Sequence, residues 1–311
     1  MDARGGVPAL GCIEYFIVLD MHAASEPRHE FITAQDGLKL HVALFGPRAS
    51  ARTPVVCLPG LTRTAEDFTV LATSLANGGR RVLALDSRGR GRSQFDADPA
   101  KYSLFIELAD LSSVLTALEA APAVLIGSSR GGLLTMLLAA LRPTAIAGAV
   151  LNDIGPVIEA AGLLRLKGYV GKQAAPRNFE EAVEIVRNIN APQFPKLGRE
   201  DWLAWARRTW REDASGLALT FDRGLAQALQ TFAPGAAPPP LWNQFDALGR
   251  VPVMVVRGAN SDILSIETVA AMRARREAME AIEVPDQGHT PLLAEADVIT
   301  RIAAFVAGCD R

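Results

Sequence analysis

Residues 123–132, AVLIGSSRGG, join a short apolar run to a glycine-rich turn, and a second apolar stretch follows. The first run predicts a buried strand, and residues 130–143, which end at Pro143, predict a helix. Glycine-rich turns between a strand and a helix either cradle a phosphate or hold a nucleophile. The two alternatives require different residues at fixed positions of the turn.

The spacing of glycines and serines in this turn excludes the phosphate cradle. A dinucleotide turn needs G-x-G-x-x-G, but Ser129 stands at the second glycine, and no lysine follows to complete a P-loop. The nucleophile pattern G-x-S-x-G fits Gly127–Gly131 with Ser129 at its centre. Centring it on Ser128 would put isoleucine and arginine where close packing requires small residues. The turn therefore predicts Ser129 as nucleophile, with Gly127 and Gly131 as the elbow glycines.

A serine hydroxyl needs a base, and the chain has four histidines. His289, in PDQGHTPLLAEADVI, follows the last predicted strand, where its ring can reach over the carboxyl edge of the sheet. His22 and His29 lie near the N-terminus and His41 lies in an early hairpin. We therefore expect His289 to be the base.

The base in turn needs a carboxylate to orient it, and two aspartates compete for that role. Asp262 follows the penultimate strand, and Asp153 follows the strand after the nucleophile. Both would project from the same edge of the sheet. We favour Asp262, because it gives the chain order Ser, Asp, His in the usual loops. Asp153 stays as the alternative acid; otherwise it would bond backbone amides where the following segment begins.

Acyl transfer also needs hydrogen-bond donors for a developing oxyanion. One candidate is the backbone N–H of Arg130, at the first position of its helix. The other is the backbone N–H of Leu61, in the loop after the strand VVCLPG. Pro59 stands in this loop beside Gly60, which lets the backbone approach closely.

Eight short apolar runs alternate with helical stretches, which predicts an α/β fold with a mostly parallel eight-stranded sheet covered by helices on both faces. The alternation breaks between Asp153 and Val251, where the sequence reads as helical and contains all four tryptophans. We predict a helical cap over 155–244, inserted after the sixth strand, and a core formed by 28–154 and 245–311. Two or three of the tryptophans are expected to form the cap's own core.

The composition argues against several classes of protein. The net charge of −2, from 32 basic and 34 acidic side chains, gives no electrostatic reason to expect nucleic acid or an anionic membrane as partner. The three cysteines show no ligand spacing, so neither a metal nor a disulfide framework is predicted, and Cys57 reads as a small buried residue. We expect no cofactor.

The N-terminal segment 1–27 is expected to be peripheral. Its apolar stretch CIEYFIVLDM carries two acidic residues and lacks a basic leader, so we predict no secretory signal and a cytoplasmic location. Met21 is an alternative start, because the patterned sequence begins near Glu30. The sequence gives no indication of the oligomeric state.

Five stretches, in order, resemble the α/β-hydrolase fold superfamily: CLPGLTRT, LDSRGRGRS, GSSRGG, RGANSDIL and GHTPLL. The resemblance implies a serine hydrolase with a helical lid, similar to capped esterases, lactonases and carbon–carbon hydrolases. The oxyanion loop departs from the family's usual His-Gly by reading Pro59-Gly60. The loop at 86–93 is expected to be structural, with glycines in turns and arginines bonding nearby backbone or carboxylates.

These features lead to an expected function and two alternatives. The expected one is hydrolysis of a carboxylic ester or lactone of a small apolar molecule through an acyl-enzyme. One alternative is hydrolysis of a carbon–carbon bond in a ring-cleavage diketone with the same residues. The other is a non-catalytic ligand receptor that retains the fold.

Overall fold

The computed structural model describes residues 26–214, 216–230 and 237–310. The first described strand begins at Arg28. The predictions for the segment 1–27 and for Met21 as a start therefore lie almost wholly outside the described residues.

The described chain contains ten strands and ten α-helices. The strands are β1 Arg28–Thr33, β2 Lys39–Phe45, β3 Val55–Leu58, β4 Val82–Leu85, β5 Ala123–Ser128, β6 Ile146–Asn152, β7 Trp210–Asp213, β8 Gly216–Leu219, β9 Val253–Gly258 and β10 Glu280–Val284. The helices are α1 Thr69–Asn77, α2 Leu104–Ala117, α3 Arg130–Leu141, α4 Ala160–Tyr169, α5 Phe179–Asn190, α6 Arg199–Thr209, α7 Gln227–Gln230, α8 Trp242–Asp246, α9 Ile266–Arg275 and α10 Ala296–Gly308. Among the described residues, no helix has the length and apolar character needed to cross a bilayer.

Eight strands form one sheet in the order β1-β2-β4-β3-β5-β6-β9-β10. Strand β2 runs antiparallel to both of its neighbours, and the six strands from β4 to β10 run parallel to one another. The turn between β1 and β2 uses Gly37 at φ +89°, a conformation that glycine adopts without strain. This arrangement confirms the predicted eight-stranded, mostly parallel sheet.

Both faces of the sheet are buried, as parallel strands require. In β3, Val56 and Leu58 face one apolar layer, while Val55 and Cys57 face the other. The first layer is covered by α2, α3, α8 and α9, and the second by α1 and α10. Cys57 has no exposed surface, which confirms its interpretation as a small buried residue. The central strands β3, β4, β5, β6 and β9 are buried at every position, which explains why these runs read as uniformly apolar.

Between β6 and β9 the chain leaves the sheet and forms α4–α7 together with the antiparallel pair β7–β8. The segment predicted as helical therefore also contains a short antiparallel pair at 210–219, which the sequence did not indicate. These two strands are only four residues each and show no apolar alternation, so the sequence carries no strand signal there. We refer to residues 155–244 as the insert.

The four tryptophans divide between two apolar clusters. Trp202, Trp205 and Trp210 are buried together within the insert, and the first two stack at 5.6 Å between ring centroids. Trp242 instead packs against the core beneath the sheet, edge-on to Phe245. Three of the four thus form the insert's own core, in line with the expectation.

Helix α3 begins in contact with the backbone of two strands. A Cβ on Gly131 would lie 2.1 Å from the carbonyl oxygen of Leu58, and one on Gly127 would lie 2.5 Å from the Gly131 carbonyl carbon. Backbone atoms of a central strand, or of a helix packed on it, cannot move aside as a flexible side chain can. Glycine at these two positions therefore sets how closely α3 approaches β3 and β5.

The substitution Gly131→Ala is expected to lower the free energy of unfolding by roughly 1–3 kcal/mol, because the added methyl overlaps a fixed carbonyl. Gly168→Ala in α4 is the matched control, since its added Cβ meets nothing within 4 Å. The control should be neutral or stabilising by up to about 1 kcal/mol. Denaturant unfolding of both variants checks this, and equal stabilities would contradict the packing argument.

Candidate active site

Ser129 lies on a strained turn between β5 and α3. Its backbone has φ +50° and ψ −112°, a conformation that non-glycine residues rarely adopt. Its N–H donates to the carbonyl oxygen of Asn152 at 2.9 Å, which ties the turn to the neighbouring strand. Gly127 and Gly131 allow the close contacts on either side of it.

The structure brings His289 to Ser129 and not to Ser128. His289 Nε2 lies 2.8 Å from Ser129 Oγ. Ser128 Oγ instead accepts a hydrogen bond from Asn152 Nδ2 at 2.8 Å. The backbone N–H of His289 donates to Gln193 Oε1 at 3.0 Å, so a residue of the insert holds the histidine loop in place.

The carboxylate beside His289 belongs to Asp153, which lies directly after β6. Asp153 Oδ2 is 2.7 Å from His289 Nδ1, and the side chain is completely buried. Its other contacts are the N–H of Gly258, which donates to Oδ1 at 2.9 Å, and the hydroxyl of Ser261, which donates to Oδ2 at 2.6 Å. These donors fix the carboxylate so that Oδ2 faces the imidazole.

Asp262 does not contact the histidine, so the expectation that favoured it over Asp153 is corrected. Its carboxylate forms a bidentate pair with Arg165 of α4, at 2.6 and 2.9 Å. Burial alone would raise the pKa of Asp262, but the hydrogen bonds and charge of Arg165 outweigh it and lower that pKa. Asp262 thus links the insert to the sheet.

The sequence contained a signal that favours Asp153. Asp153 follows its strand immediately and adopts φ +54°, a region that aspartate tolerates better than most residues. Asp262 stands four positions beyond the end of β9, past a turn that directs it towards α4. Distance from the strand end was therefore a better guide than chain order.

The two predicted oxyanion donors flank Ser129. Arg130 is the first residue of α3, and Gly60, which precedes Leu61, would carry a Cβ 3.7 Å from that of Ser129. Neither the Leu61 nor the Arg130 N–H donates to any acceptor within 26–214, 216–230 and 237–310. Backbone donors without partners beside a nucleophile are what a developing oxyanion needs.

A buried carboxylate links the segments that carry these two amides. Glu107 of α2, whose side chain is 1 % exposed, accepts from both terminal nitrogens of Arg90 at 3.0 Å and from Arg130 Nε at 2.8 Å. Arg90 Nε in turn donates to the carbonyl oxygen of Leu61 at 2.6 Å. One side chain therefore holds the peptide of Leu61 and the start of α3 together.

The charges around Glu107 determine the direction in which its pKa shifts. Burial raises the pKa of Glu107, but the neighbouring charges of Arg130 and Arg90 outweigh burial and leave that pKa below its usual range. A carboxyl whose pKa falls on folding stabilises the protein at neutral pH, and that contribution is lost as the pH falls through the folded-state pKa.

The loop at 86–93 behaves as expected from the sequence. Gly89 and Gly91 have positive φ, and Arg88 pairs with Asp110 at 2.6 Å. The sequence did not indicate that Glu107 connects this loop to the nucleophile turn, by accepting hydrogen bonds from both Arg90 and Arg130. The sequence also did not indicate the hydrogen bonds that Asn152, Gln193 and Ser261 form around the site, because none of these residues belongs to a local motif.

Two cavities meet at Ser129. One, of about 440 Å³, is lined mainly by apolar side chains, among them Leu104, Phe105, Leu133, Ile154, Ile158 and Leu163. The other, of about 80 Å³, is lined by His289 and by residues of the insert such as Tyr169, Gln173 and Trp210. The insert therefore forms much of the wall around the nucleophile.

The sheet order and the serine turn at its carboxyl edge define an α/β-hydrolase fold. The chain belongs to the alpha/beta hydrolase family, whose sequence model matches residues 55–302. It is thus an enzyme of the hydrolase class, as the resemblance implied.

Two named relatives and one solved structure support the assignment to the hydrolase class. The chain is 33% identical over 294 residues to a 3-hydroxybutyrate-oligomer hydrolase of Cupriavidus necator, covering 92% of this chain and 99% of the relative. It is 25% identical over 255 residues to an esterase of Mycobacterium tuberculosis, covering 76% of each. A solved α/β hydrolase of Novosphingobium aromaticivorans is 40% identical, with a TM-score of 0.84 and coverage of 91% of this chain and 99% of that one.

Replacing Glu107 with glutamine is expected to lower the free energy of unfolding by about 3–5 kcal/mol, because two arginines lose their buried counter-charge. The control is Glu181→Gln. The partner of Glu181, Arg177, is 87% exposed, so the free energy of unfolding of this variant should equal that of the wild type. Unfolding measured against pH gives a second check. The stability difference between wild type and Glu107→Gln should shrink in acid, and a difference that grew would contradict the lowered pKa.

Proposed function

We propose that this protein hydrolyses carboxylic esters or lactones of small molecules through a covalent acyl-enzyme. The observation that carries the proposal is the chain of contacts Ser129–His289–Asp153, with distances of 2.8 and 2.7 Å. An activated serine with amide donors beside it suits attack on a carbonyl carbon.

In the proposed mechanism, Ser129 Oγ attacks the ester carbonyl while its proton passes to His289 Nε2. Asp153 keeps Nδ1 protonated and stabilises the imidazolium that forms. The N–H groups of Leu61 and Arg130 stabilise the oxyanion of the tetrahedral intermediate. His289 then protonates the leaving oxygen, and in the second half-reaction it activates a water molecule that releases the acid.

The larger cavity supports an apolar acyl group. Its volume of about 440 Å³ falls in the range of small-molecule pockets, and its wall includes Arg130 beside the proposed oxyanion position. We propose that the insert acts as a cap that limits which acyl groups enter. The relatives named as an esterase and as an oligomer hydrolase agree with ester-type substrates.

Replacing Ser129 with alanine removes the nucleophile, so kcat on p-nitrophenyl esters should fall by roughly 10⁴-fold or more. Labelling by a fluorophosphonate should disappear in the same variant. Hydrolysis that persisted in Ser129→Ala would contradict the acyl-enzyme. Wild-type turnover of a vinylogous diketone faster than every ester would instead favour carbon–carbon hydrolysis.

The two aspartates provide a matched comparison. Asp153→Asn should lower kcat by about 10³–10⁴-fold, because the amide stabilises the wrong histidine tautomer. Asp262→Asn has no contact with the imidazole and should keep kcat within about tenfold of the wild type. Steady-state kinetics on one ester, with circular dichroism as a folding control, decides between them. A larger loss in Asp262→Asn would reverse the assignment.

A further inference from the structure

The smaller cavity at Ser129 differs in character from the apolar one. Its wall mixes apolar side chains with polar ones, and the polar ones include Thr62, Tyr169, Gln173, Asn190 and Thr209. Within the described residues, no carboxylate lines it. Its volume of about 80 Å³ exceeds that of a single water site several-fold, so it suits a compact group of a few heavy atoms.

Two buried polar atoms of the cavity's lining residues lack partners. Trp210 is 1 % exposed, and its Nε1 donates to no acceptor in the described parts of the chain. Gln173 Oε1 is likewise buried and accepts no hydrogen bond there. A buried polar atom without a partner is destabilising, so each of these two atoms is stabilised when a ligand supplies the missing partner.

The two unpartnered atoms have opposite requirements. An indole N–H can only donate, so Trp210 needs an acceptor. The carbonyl oxygen of Gln173 needs a donor. A hydroxyl group provides both, whereas a carboxylate has no proton for Gln173. Arg63 also lines the cavity, and its charge is already paired, since Nε and Nη2 donate to Asp67 at 2.7 Å.

The position of His289 decides which half of the substrate enters this cavity. His289 lines the smaller cavity, and the residues lining the larger one do not include it. The leaving oxygen must lie within hydrogen-bond reach of the histidine that protonates it. The alcohol half of an ester therefore extends into the smaller cavity, while the acyl half occupies the larger, apolar one.

We propose that the preferred substrates are esters of an apolar acid with a compact alcohol that carries a second hydroxyl, which is bound by Trp210 and Gln173. This rests on the proposed function, since it specifies the leaving group of the same reaction. In acylation the Ser129 Oγ–carbon bond forms and the carbon–oxygen bond to the diol or triol breaks. The proton from Ser129 passes through His289 to the departing oxygen.

The test compares three octanoate esters that share an acyl group: glyceryl octanoate, propyl octanoate and O-octanoylglycolate. The readout is kcat/KM for each ester in wild type, Trp210→Phe and Gln173→Met, with Trp242→Phe as a control outside both cavities. Comparing the glyceryl-to-propyl ratio between variants cancels the intrinsic difference between leaving groups. We expect this ratio to fall roughly three- to tenfold in Trp210→Phe and in Gln173→Met, and to stay constant in Trp242→Phe.

The outcomes separate this proposal from the one on which it rests. A ratio that stayed constant in both Trp210→Phe and Gln173→Met would overturn the polar subsite, even with rapid turnover of every ester. Faster wild-type turnover of O-octanoylglycolate than of glyceryl octanoate would also overturn it in favour of a carboxylate. No turnover of any ester, with no labelling of Ser129 by a fluorophosphonate, would overturn the proposed function itself.

Discussion

The site depends on one close contact, the approach of helix α3 to the backbone of β3 and β5. Gly131 lies so near the Leu58 carbonyl that no side chain fits, and Gly127 lies as near to Gly131. This contact holds Ser129 at φ +50°, a conformation that costs on the order of 1–3 kcal/mol in isolation. The strain is sustained by the buried sheet beneath it. It lifts the hydroxyl above the sheet edge and places the first amide of α3 beside it.

A second set of contacts holds together the two segments that carry the amide donors. Leu61 and Arg130 are far apart in sequence, yet Glu107 reaches both, one through Arg90 and the other through the Arg130 side chain. A carboxylate between two guanidiniums is expensive to bury unless its hydrogen bonds are satisfied, and here each oxygen accepts at least one. The loop at 86–93 therefore contributes to the geometry of the site as well as to the fold.

The sequence predicted those features that rest on local rules. Period and burial located all eight strands of the main sheet, and the steric demand for small residues around Ser129 selected it over Ser128. The choice between Asp153 and Asp262 failed because both follow strands at the same edge, and only the paths of the loops separate them. The sequence also did not indicate β7 and β8, because both strands are short and lack apolar alternation. Nor did it indicate the role of Glu107, which depends on contacts between residues far apart in the chain. Such features depend on tertiary packing that one sequence does not encode locally.

We propose that Ser129 attacks a carbonyl whose oxygen is held by the amides of Leu61 and Arg130. The most direct measurement is a crystal structure of the protein after reaction with a fluorophosphonate, whose adduct imitates the tetrahedral intermediate. We expect phosphorus bonded to Ser129 Oγ, with the phosphoryl oxygen at about 2.7–3.1 Å from both amide nitrogens. An adduct on another residue, or a phosphoryl oxygen turned away from both amides, would overturn this assignment.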